Sequence, residues 1–321
     1  MNHSAAKPIS TPQRLAMLPH LAACRPRQWT KNLLVFASPL FAFRLDPPIW
    51  LAAAGGFLAF CAISSAIYLL NDVLDVEADR AHPRKCLRPI AAGQVAIPTA
   101  LAMAAALATF SVLFAWSIQP PLALLIALYG VIQVGYCLRF KRLPLLDISC
   151  IAAGFLLRAM AGGVASALEI SPWFILTVGL LALFLAVEKR KAELRVCRER
   201  GVITRKVLER YSLPLLLRLE SLVSTSAFMA YALWAAGPTL GGAASRWMLL
   251  SVPLVLVGIF RYQLLSDPED AERRAAVGYG TSTEEPESLL LGDHGIKLIL
   301  LAWLLTVTAV AVLHRLGVLP A

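Results

Sequence analysis

The chain has 321 residues, of which 58% are hydrophobic and only 16% are charged. A soluble globular domain has about 45–50% apolar and about 25% charged residues, so this composition excludes a single water-soluble core and indicates a chain that faces lipid. The formal net charge of +10 does not indicate nucleic-acid binding, because the basic residues lie in short loops between apolar runs.

Nine apolar segments follow one another along the sequence as candidate membrane helices. A bilayer core about 30 Å thick needs roughly 20 apolar residues in a helix. The first segment is short and contains Pro39. We expect an all-α polytopic membrane protein with spans at approximately 32–45, 50–71, 96–116, 119–138, 146–167, 171–188, 218–236, 246–265 and 296–314.

The basic residues alternate between the loops and thereby predict the orientation of the chain. Most of the 30 Lys and Arg residues fall in the N-terminal arm and the even-numbered loops, whereas the other side carries Arg44, Arg246 and Arg315. Lys and Arg accumulate in cytoplasmic loops, so we expect nine helices in the inner (plasma) membrane, with the N-terminus cytoplasmic. The predicted parts are a cytoplasmic arm over 1–24 and a single nine-helix domain over 25–321, with active-site loops at 72–95, 139–146, 188–212 and 266–295.

The second apolar segment runs directly into a group of acids. Asp72, Asp75 and Asp79 are spaced i, i+3, i+7, which places three carboxylates on one helix face, and Asn71 lies four residues before Asp75. Bound Mg²⁺ would relieve their repulsion, because it takes oxygen ligands and bridges carboxylates to substrate phosphates. The alternative is a solvated helix end in which Asp79 pairs with Arg80 or Arg84.

A basic loop from His82 to Gly93 follows the acids and is punctuated by proline and glycine. Arg84, Lys85 and Arg88 in this loop can bind phosphate oxygens that a metal ion leaves free. Carboxylates for a metal and cations for phosphates in adjacent segments predict a site for a polyphosphate.

These two segments resemble a known family. NDVLDVEAD over 71–79 resembles the NDxxDxxxD motif of the UbiA superfamily of intramembrane prenyltransferases, and HPRKCLRPIAAG over 82–93 resembles the segment that follows it there. The resemblance extends from about residue 20 to about residue 315. It implies a UbiA-like bundle of nine helices, in agreement with the count of apolar segments.

Further motifs resemble one branch of this superfamily, the decaprenyl-phosphate phosphoribosyltransferases. They are RPRQWTKN over 25–32, DISCIAAGFLLRAMAGG over 147–163 and EKRKAE over 188–193. Where this chain has EKRKAE, the wider superfamily has a second Asp-rich motif. Because three basic residues stand among the acids here, a second all-carboxylate metal site is not expected. A basic motif there suits an additional anionic group, such as the 5-phosphate of phosphoribosyl pyrophosphate.

The resemblance implies transfer of 5-phosphoribose from phosphoribosyl pyrophosphate to a polyprenyl phosphate lipid, with Mg²⁺ as cofactor and no nucleic-acid partner. The implied catalytic residues are Asp72, Asp75, Lys31 and Lys189. The implied metal ligands are Asp72, Asp75 and Asp79. The expected substrate contacts are Lys31, Asn71, Arg84, Lys85, Arg88, Tyr136, Lys141, Asp147, Arg158, Lys189, Arg190 and Glu193.

Arg158 lies inside an apolar span, where a charge is costly and functional by default. It is a candidate ligand for a phosphate of either substrate, and the alternative is an ion pair between helices. For Tyr136 and Lys141 the alternatives are an aromatic residue of the membrane interface and a lysine that extends its ammonium group towards water.

Two other functions are weighed against this one. An aromatic polyprenyltransferase that uses a polyprenyl diphosphate donor would be expected to carry the second Asp-rich motif. A transporter often shows inverted repeats and helices broken at mid-membrane, whereas the polar residues here lie at the predicted cytoplasmic surface. A purely structural partner protein is the remaining alternative.

Overall fold

The computed structural model describes residues 19–42, 44, 46–83, 85–200, 206–238, 242–267 and 292–319, with the side chains of 199, 200 and 206 excepted. Arg84 and most of the predicted loop at 266–295 therefore lie outside the described residues, as do residues 1–18 of the predicted arm.

The described residues form helices and turns. The α-helices are α1 (Pro19–Ala23), α2 (Ala37–Phe41), α3 (Pro47–Leu74), α4 (Val76–Arg80), α5 (Ile97–Ile118), α6 (Pro120–Leu138), α7 (Leu146–Ala165), α8 (Pro172–Arg200), α9 (Leu213–Ala235), α10 (Val252–Ser266) and α11 (His294–Arg315). The 3₁₀ helices are Pro26–Phe36, Lys85–Leu87, Phe140–Arg142, Lys206–Arg210 and Arg246–Ser251. Proline begins several of these helices, because backbone N–H groups in the first turn have no acceptor within the helix, so the N–H group that proline lacks is not missed there.

Within the described part of the chain, 8 helices are long and apolar enough to cross a membrane. They are α3, α5 to α9, the continuous stretch Arg246–Ser266 that ends in α10, and α11. They coincide with the second to the ninth predicted spans. The prediction of an all-α polytopic membrane protein is thereby confirmed.

The first predicted span, 32–45, is not one α-helix, and this part of the prediction was wrong. The segment is the 3₁₀ helix Pro26–Phe36, followed directly by the short helix α2. Trp29, Asn32 and Val35 are three residues apart, so a helix with three residues per turn places all of them on one face. Asn32 and Val35 are fully buried on that face, which explains why this segment follows the tighter helix.

This 3₁₀ segment runs antiparallel to α3. Asn32 Nδ2 donates to Ser64 Oγ over 3.2 Å, and the ring of Phe36 stacks on Trp50 with centroids 5.8 Å apart. A 3₁₀ helix rises about 2.0 Å per residue, so its 11 residues and the 5 of α2 together reach about 30 Å. That length is comparable to a bilayer core, and the nine-helix count and the orientation of the N-terminus stay predictions.

Small residues allow the 3₁₀ segment to approach α7 closely. A Cβ atom at Gly162 would lie 1.9 Å from the backbone oxygen of Val35, whereas a Cβ atom at Gly179 of α8 would meet its nearest neighbour, Leu156, at 3.7 Å. Close backbone contact through small residues is the usual way in which membrane helices associate. The first segment is therefore locked between α3 and α7.

We expect Gly162→Ala to destabilise the protein by about 1–3 kcal/mol, because the backbone oxygen of Val35 cannot move away from an added methyl group. The matched variant Gly179→Ala adds the same methyl group in open contact and should be neutral or slightly stabilising, since alanine favours helix. Thermal unfolding of the purified proteins in detergent measures both. Equal melting temperatures would contradict the close approach.

Candidate functional site

The acids predicted on one helix face are divided by a break in the helix. α3 ends at Leu74 and α4 begins at Val76, because Asp75 between them leaves helical geometry with φ −101° and ψ 10°. The prediction that one unbroken helix face carries the three carboxylates was therefore wrong. The side chains of Asp72 and Asp79 are nevertheless both buried, each with a relative exposure of 2%.

Arg88 joins the two buried carboxylates. Its Nη1 atom lies 3.2 Å from Asp72 Oδ1 and 2.5 Å from Asp79 Oδ2. Arg25, which directly precedes the 3₁₀ segment, also pairs with Asp72, and its guanidinium lies 5.2 Å from the centre of the Tyr68 ring. The basic loop and the N-terminal segment thus meet at the end of α3.

The third carboxylate has its own cation. Lys141 Nζ, in the 3₁₀ turn between α6 and α7, donates to the two carboxylate oxygens of Asp75 over 2.8 and 3.0 Å. We call the set of three acids and three cations the acidic end cluster. Its members are Asp72, Asp75, Asp79, Arg25, Arg88 and Lys141.

The carboxylates of this cluster fit a metal ion held by few protein ligands. Among the described residues, no group of three or more His, Cys, Asp or Glu side chains lies close enough to hold a metal ion. Asp72 and Asp79 each direct one oxygen to the same nitrogen of Arg88, so two carboxylate oxygens converge on one cationic position. This donor set suits Mg²⁺, which commonly binds one or two carboxylates together with water and substrate phosphates.

A second buried cluster links α7 to α8. Arg190 Nε donates to Asp147 Oδ2 over 2.5 Å, and both side chains are completely buried. Arg190 also pairs with Glu193 and donates to Tyr136 Oη over 3.3 Å. These four residues were predicted as substrate contacts, and the structure brings them together in one network.

Tyr211 completes this second cluster. Its hydroxyl donates to Asp147 Oδ1 over 2.6 Å and accepts from the backbone N–H of Leu145 over 2.8 Å. Burial raises the pKa of Tyr211, and the hydrogen bond to the Asp147 carboxylate acts in the same direction. Leu145 has a positive φ of 65°, so this contact supports a strained turn at the start of α7. Asp147 is thus held by groups of the protein itself.

The opposite face of α8 carries a third ion-pair network. Lys191 Nζ lies 2.6 Å from Glu188 Oε1 and 2.5 Å from Glu220 Oε2 of α9, and all three side chains are buried. The motif EKRKAE therefore alternates between two neighbours, since Arg190 and Glu193 face α7 whereas Glu188 and Lys191 face α9.

Arg158 lies at the centre of the bundle among neutral groups. It donates to Asn32 Oδ1 over 2.7 Å, to the backbone oxygen of Gly154 over 2.8 Å and to Tyr129 Oη over 2.6 Å. The guanidinium also lies 4.8 Å from the centre of the Tyr129 ring. The alternative of an ion pair between helices is not what the structure shows, because the contacts of Arg158 are amide, carbonyl, hydroxyl and aromatic groups.

The remaining predicted residues lie nearer the surface. Asn71, Lys31 and Lys189 are half-buried and Lys85 is exposed, while Arg84 is outside the described residues. The sequence analysis did not assign roles to Arg25, Asn32, Tyr129, Tyr211 or Glu220. Arg25 and Asn32 stand in the RPRQWTKN motif, which was a usable signal, whereas the other three carry no local pattern that marks them.

Comparison with known proteins gives consistent results at the level of sequence. The model of the UbiA prenyltransferase family matches residues 33–281. Two similar proteins bear the name decaprenyl-phosphate phosphoribosyltransferase. The one from Mycolicibacterium smegmatis is 36% identical and covers 95% of this chain and 96% of its own, and the one from Mycobacterium tuberculosis is 38% identical and covers 89% and 92%.

Solved structures show the same fold. A UbiA homolog from Archaeoglobus fulgidus bound to GPP and Mg²⁺ superimposes with a TM-score of 0.66, covers 91% of this chain and 99% of that chain, and is 18% identical. A digeranylgeranylglyceryl phosphate synthase structure gives a TM-score of 0.62 at 15% identity, with 91% of this chain covered and 97% of that chain. At these identities the likeness establishes the architecture and not the reaction.

The two clusters should respond differently when an acid is neutralised. Asp147→Asn removes a charge from a fully buried pair with Arg190 and should destabilise the protein by about 3–5 kcal/mol. Asp75→Asn breaks a partly exposed pair with Lys141, so we expect a loss of at most about 1 kcal/mol. Denaturation in detergent compares them, and equal losses would contradict a structural role for Asp147.

Proposed function

Because the chain belongs to the UbiA prenyltransferase family, we propose that it transfers 5-phosphoribose from phosphoribosyl pyrophosphate to a decaprenyl-like polyprenyl phosphate. Pyrophosphate is the leaving group. The names of relatives that are 36–38% identical over most of the chain support this substrate pair. The observation that carries the proposal is the acidic end cluster.

The acidic end cluster brings together the two kinds of groups that a metal diphosphate needs. Its three carboxylates come from α3, α4 and the residue between them, and its three cations come from three other segments. Without a substrate the charges balance within the cluster. We propose that Arg25, Arg88 and Lys141 exchange their carboxylate partners for phosphate oxygens when the donor binds, because cations with several N–H groups bind either anion.

The carboxylates that this exchange releases are the proposed metal ligands. Asp72 and Asp79, with Asp75 beside them, would hold Mg²⁺. When bound, the ion supplies positive charge for the pyrophosphate leaving group. The half-buried lysines Lys31 and Lys189 are proposed to add fixed positive charge for the same purpose.

The nucleophile in this proposal is an oxygen of the lipid phosphate. It is already anionic at neutral pH, so its attack on the anomeric carbon requires no proton removal by the protein. The C1–oxygen bond to pyrophosphate breaks as the new C1–oxygen bond forms. The residues around it therefore act by positioning the two substrates and by stabilising charge.

This multi-pass membrane protein is proposed to lie in the inner (plasma) membrane with the acidic end cluster at the cytoplasmic surface. The distribution of Lys and Arg between the loops supports that orientation. It also gives the cluster access to phosphoribosyl pyrophosphate, a water-soluble and highly charged donor. The lipid acceptor would reach it from the bilayer.

Arg158 is proposed to face a substrate phosphate. Its charge is buried, and the groups that it contacts are neutral. A buried cation without an opposite charge is costly, and an anionic substrate group would supply that charge. Whether this group belongs to the acceptor or to the donor is decided by the kinetic test below.

We expect the purified protein to transfer label from phosphoribosyl pyrophosphate into an organic-soluble product when Mg²⁺ and polyprenyl phosphate are present. A chelator should abolish the transfer. Asp72→Asn and Asp75→Asn should lower the rate by about 100-fold or more, because each removes a carboxylate proposed to hold the Mg²⁺ that stabilises the leaving group. The adjacent exposed acid provides a control, and Glu77→Gln should keep near-normal activity.

A parallel reaction with a polyprenyl diphosphate donor and an aromatic acceptor tests the alternative function. Prenylation of the aromatic ring without transfer of phosphoribose would contradict the proposal. Full activity of Asp72→Asn in a folded sample would contradict the proposed role of the cluster, whatever the substrates are.

Substitution of Arg158 separates its charge from its hydrogen bonds. Arg158→Lys keeps a positive charge and Arg158→Gln removes it. If the charge faces a phosphate, the lysine variant should retain at least about tenfold more activity than the glutamine variant, since a desolvated charge pair contributes more than about 1.4 kcal/mol. Measurement of KM for each substrate identifies the one whose binding weakens. Equal activities would instead indicate a structural role.

A further inference from the structure

The end of the bundle opposite the acidic end cluster gathers basic residues from distant parts of the chain. Asp46 and Asp75 bracket the 28-residue helix α3, which separates the two ends by about 40 Å. At the far end Arg44 follows α2, Arg246 begins the 3₁₀ helix before α10, and Arg315 ends α11. The sequence analysis placed few cations on this side, and the fold brings these three to one region.

A cavity of about 150 Å³ lies between these segments. Its volume is well above the about 10–15 Å³ that holds one water molecule. One wall is apolar, and its basic rim is formed by Arg44, His314 and Arg315. The apolar and small residues that line it are Ala42, Ala244, Ser245, Met248, Val310 and Ala311. Arg246 directly follows Ser245 in the chain and so stands beside the cavity.

The charges around the cavity are not balanced by the acid beside it. Arg44 Nε lies 2.8 Å from Asp46 Oδ2, and this hydrogen bond lowers the pKa of Asp46. The charge of Arg315 acts on the pKa of Asp46 in the same direction. Among the described residues, the nine that line the cavity include no acid.

The interaction of basic residues with a helix C-terminus explains part of this arrangement. His314 and Arg315 are in the last turn of α11, where basic residues are favoured by the partial negative charge of the helix end. That effect does not explain Arg44, which comes from a different segment and lines the same cavity. Nor does it explain an apolar wall beneath the cations.

The surroundings place the cavity at a boundary between lipid and water. Leu316, next to Arg315, has a relative exposure of 71%, and Trp247, next to Arg246, has one of 41%. Tryptophan and arginine side by side with exposed leucine are typical of the headgroup level of a bilayer. A ligand here would have its polar part at the arginines and its apolar part along the 3₁₀ helix Arg246–Ser251 and α11.

We propose that this cavity binds the phosphodiester group of an anionic membrane phospholipid, with Arg44 and Arg315 as its main ligands. Charge complementarity selects the headgroup, because the rim carries an excess of positive charge. The apolar wall selects a lipid over a free anion, because Met248 and Val310 give an acyl chain or glycerol group a surface to cover. This inference does not depend on the proposed function.

Native mass spectrometry of the detergent-purified full-length protein tests the proposal by titration with phosphatidylglycerol and with phosphatidylcholine of the same chains. We expect preferential binding of phosphatidylglycerol. Arg44→Gln and Arg315→Gln should each weaken it about fivefold, and the double variant more strongly. Arg198→Gln removes an exposed arginine at the other end of the bundle, so it should bind as the unchanged protein does.

Four outcomes would overturn the proposal. They are equal binding of the two phospholipids, unchanged phosphatidylglycerol binding by the double variant, displacement of the lipid by millimolar inorganic phosphate, and preferential occupation by polyprenyl phosphate. The last two would assign the same cations to a free anion or to the substrate lipid. Because the variants are far from the acidic end cluster, their transferase activity in detergent should be unchanged, which confirms that they are folded.

Discussion

A charge inside a lipid-facing bundle needs an opposite charge or several hydrogen-bonding groups around it, because the surrounding medium screens it poorly. This constraint shapes the described part of the molecule. The buried acids are paired with cations that usually come from another segment, so the pairs also fix where the segments lie. The pairs that join segments are Arg25–Asp72, Arg88–Asp79, Lys141–Asp75, Arg190–Asp147 and Lys191–Glu220.

These pairs differ in how deeply they are buried. The fully buried pairs hold the helices together, whereas the partly exposed pairs are the ones that a substrate can reach. Asp147 and Arg190 are fully buried and further held by Tyr211, so a ligand would have to displace partners that belong to the protein. The pair of Asp75 with Lys141 is partly exposed. A pair that water can reach can exchange partners at low cost, and a charged substrate is the natural partner to exchange with.

The sequence predicted those features that depend on local pattern. Long apolar runs predicted eight helices at nearly correct positions, because the length and hydrophobicity that a membrane helix needs are properties of each run by itself. The acidic motif and the basic loop were also visible, because chain neighbours supply both halves of the Arg88–Asp79 pair.

Features that depend on distant residues were not predictable in this way. The hydroxyl of Tyr211 reaches Asp147 across 64 positions of sequence, and no spacing rule relates the two. The turn at Asp75 was missed because propensity alone does not place a break within an i, i+3, i+7 series. Arg158 was identified as unusual from its apolar surroundings, but its neutral contacts required the fold.

The 3₁₀ segment has a consequence for how the protein is made. A 3₁₀ helix has weaker internal hydrogen bonds than an α-helix, and runs of 11 residues are uncommon on their own. This one is held in place by side chains of α3 and by the close approach to α7 at Gly162. We therefore expect this segment to acquire its final form late, after α7, which follows it by more than 100 residues, has entered the membrane.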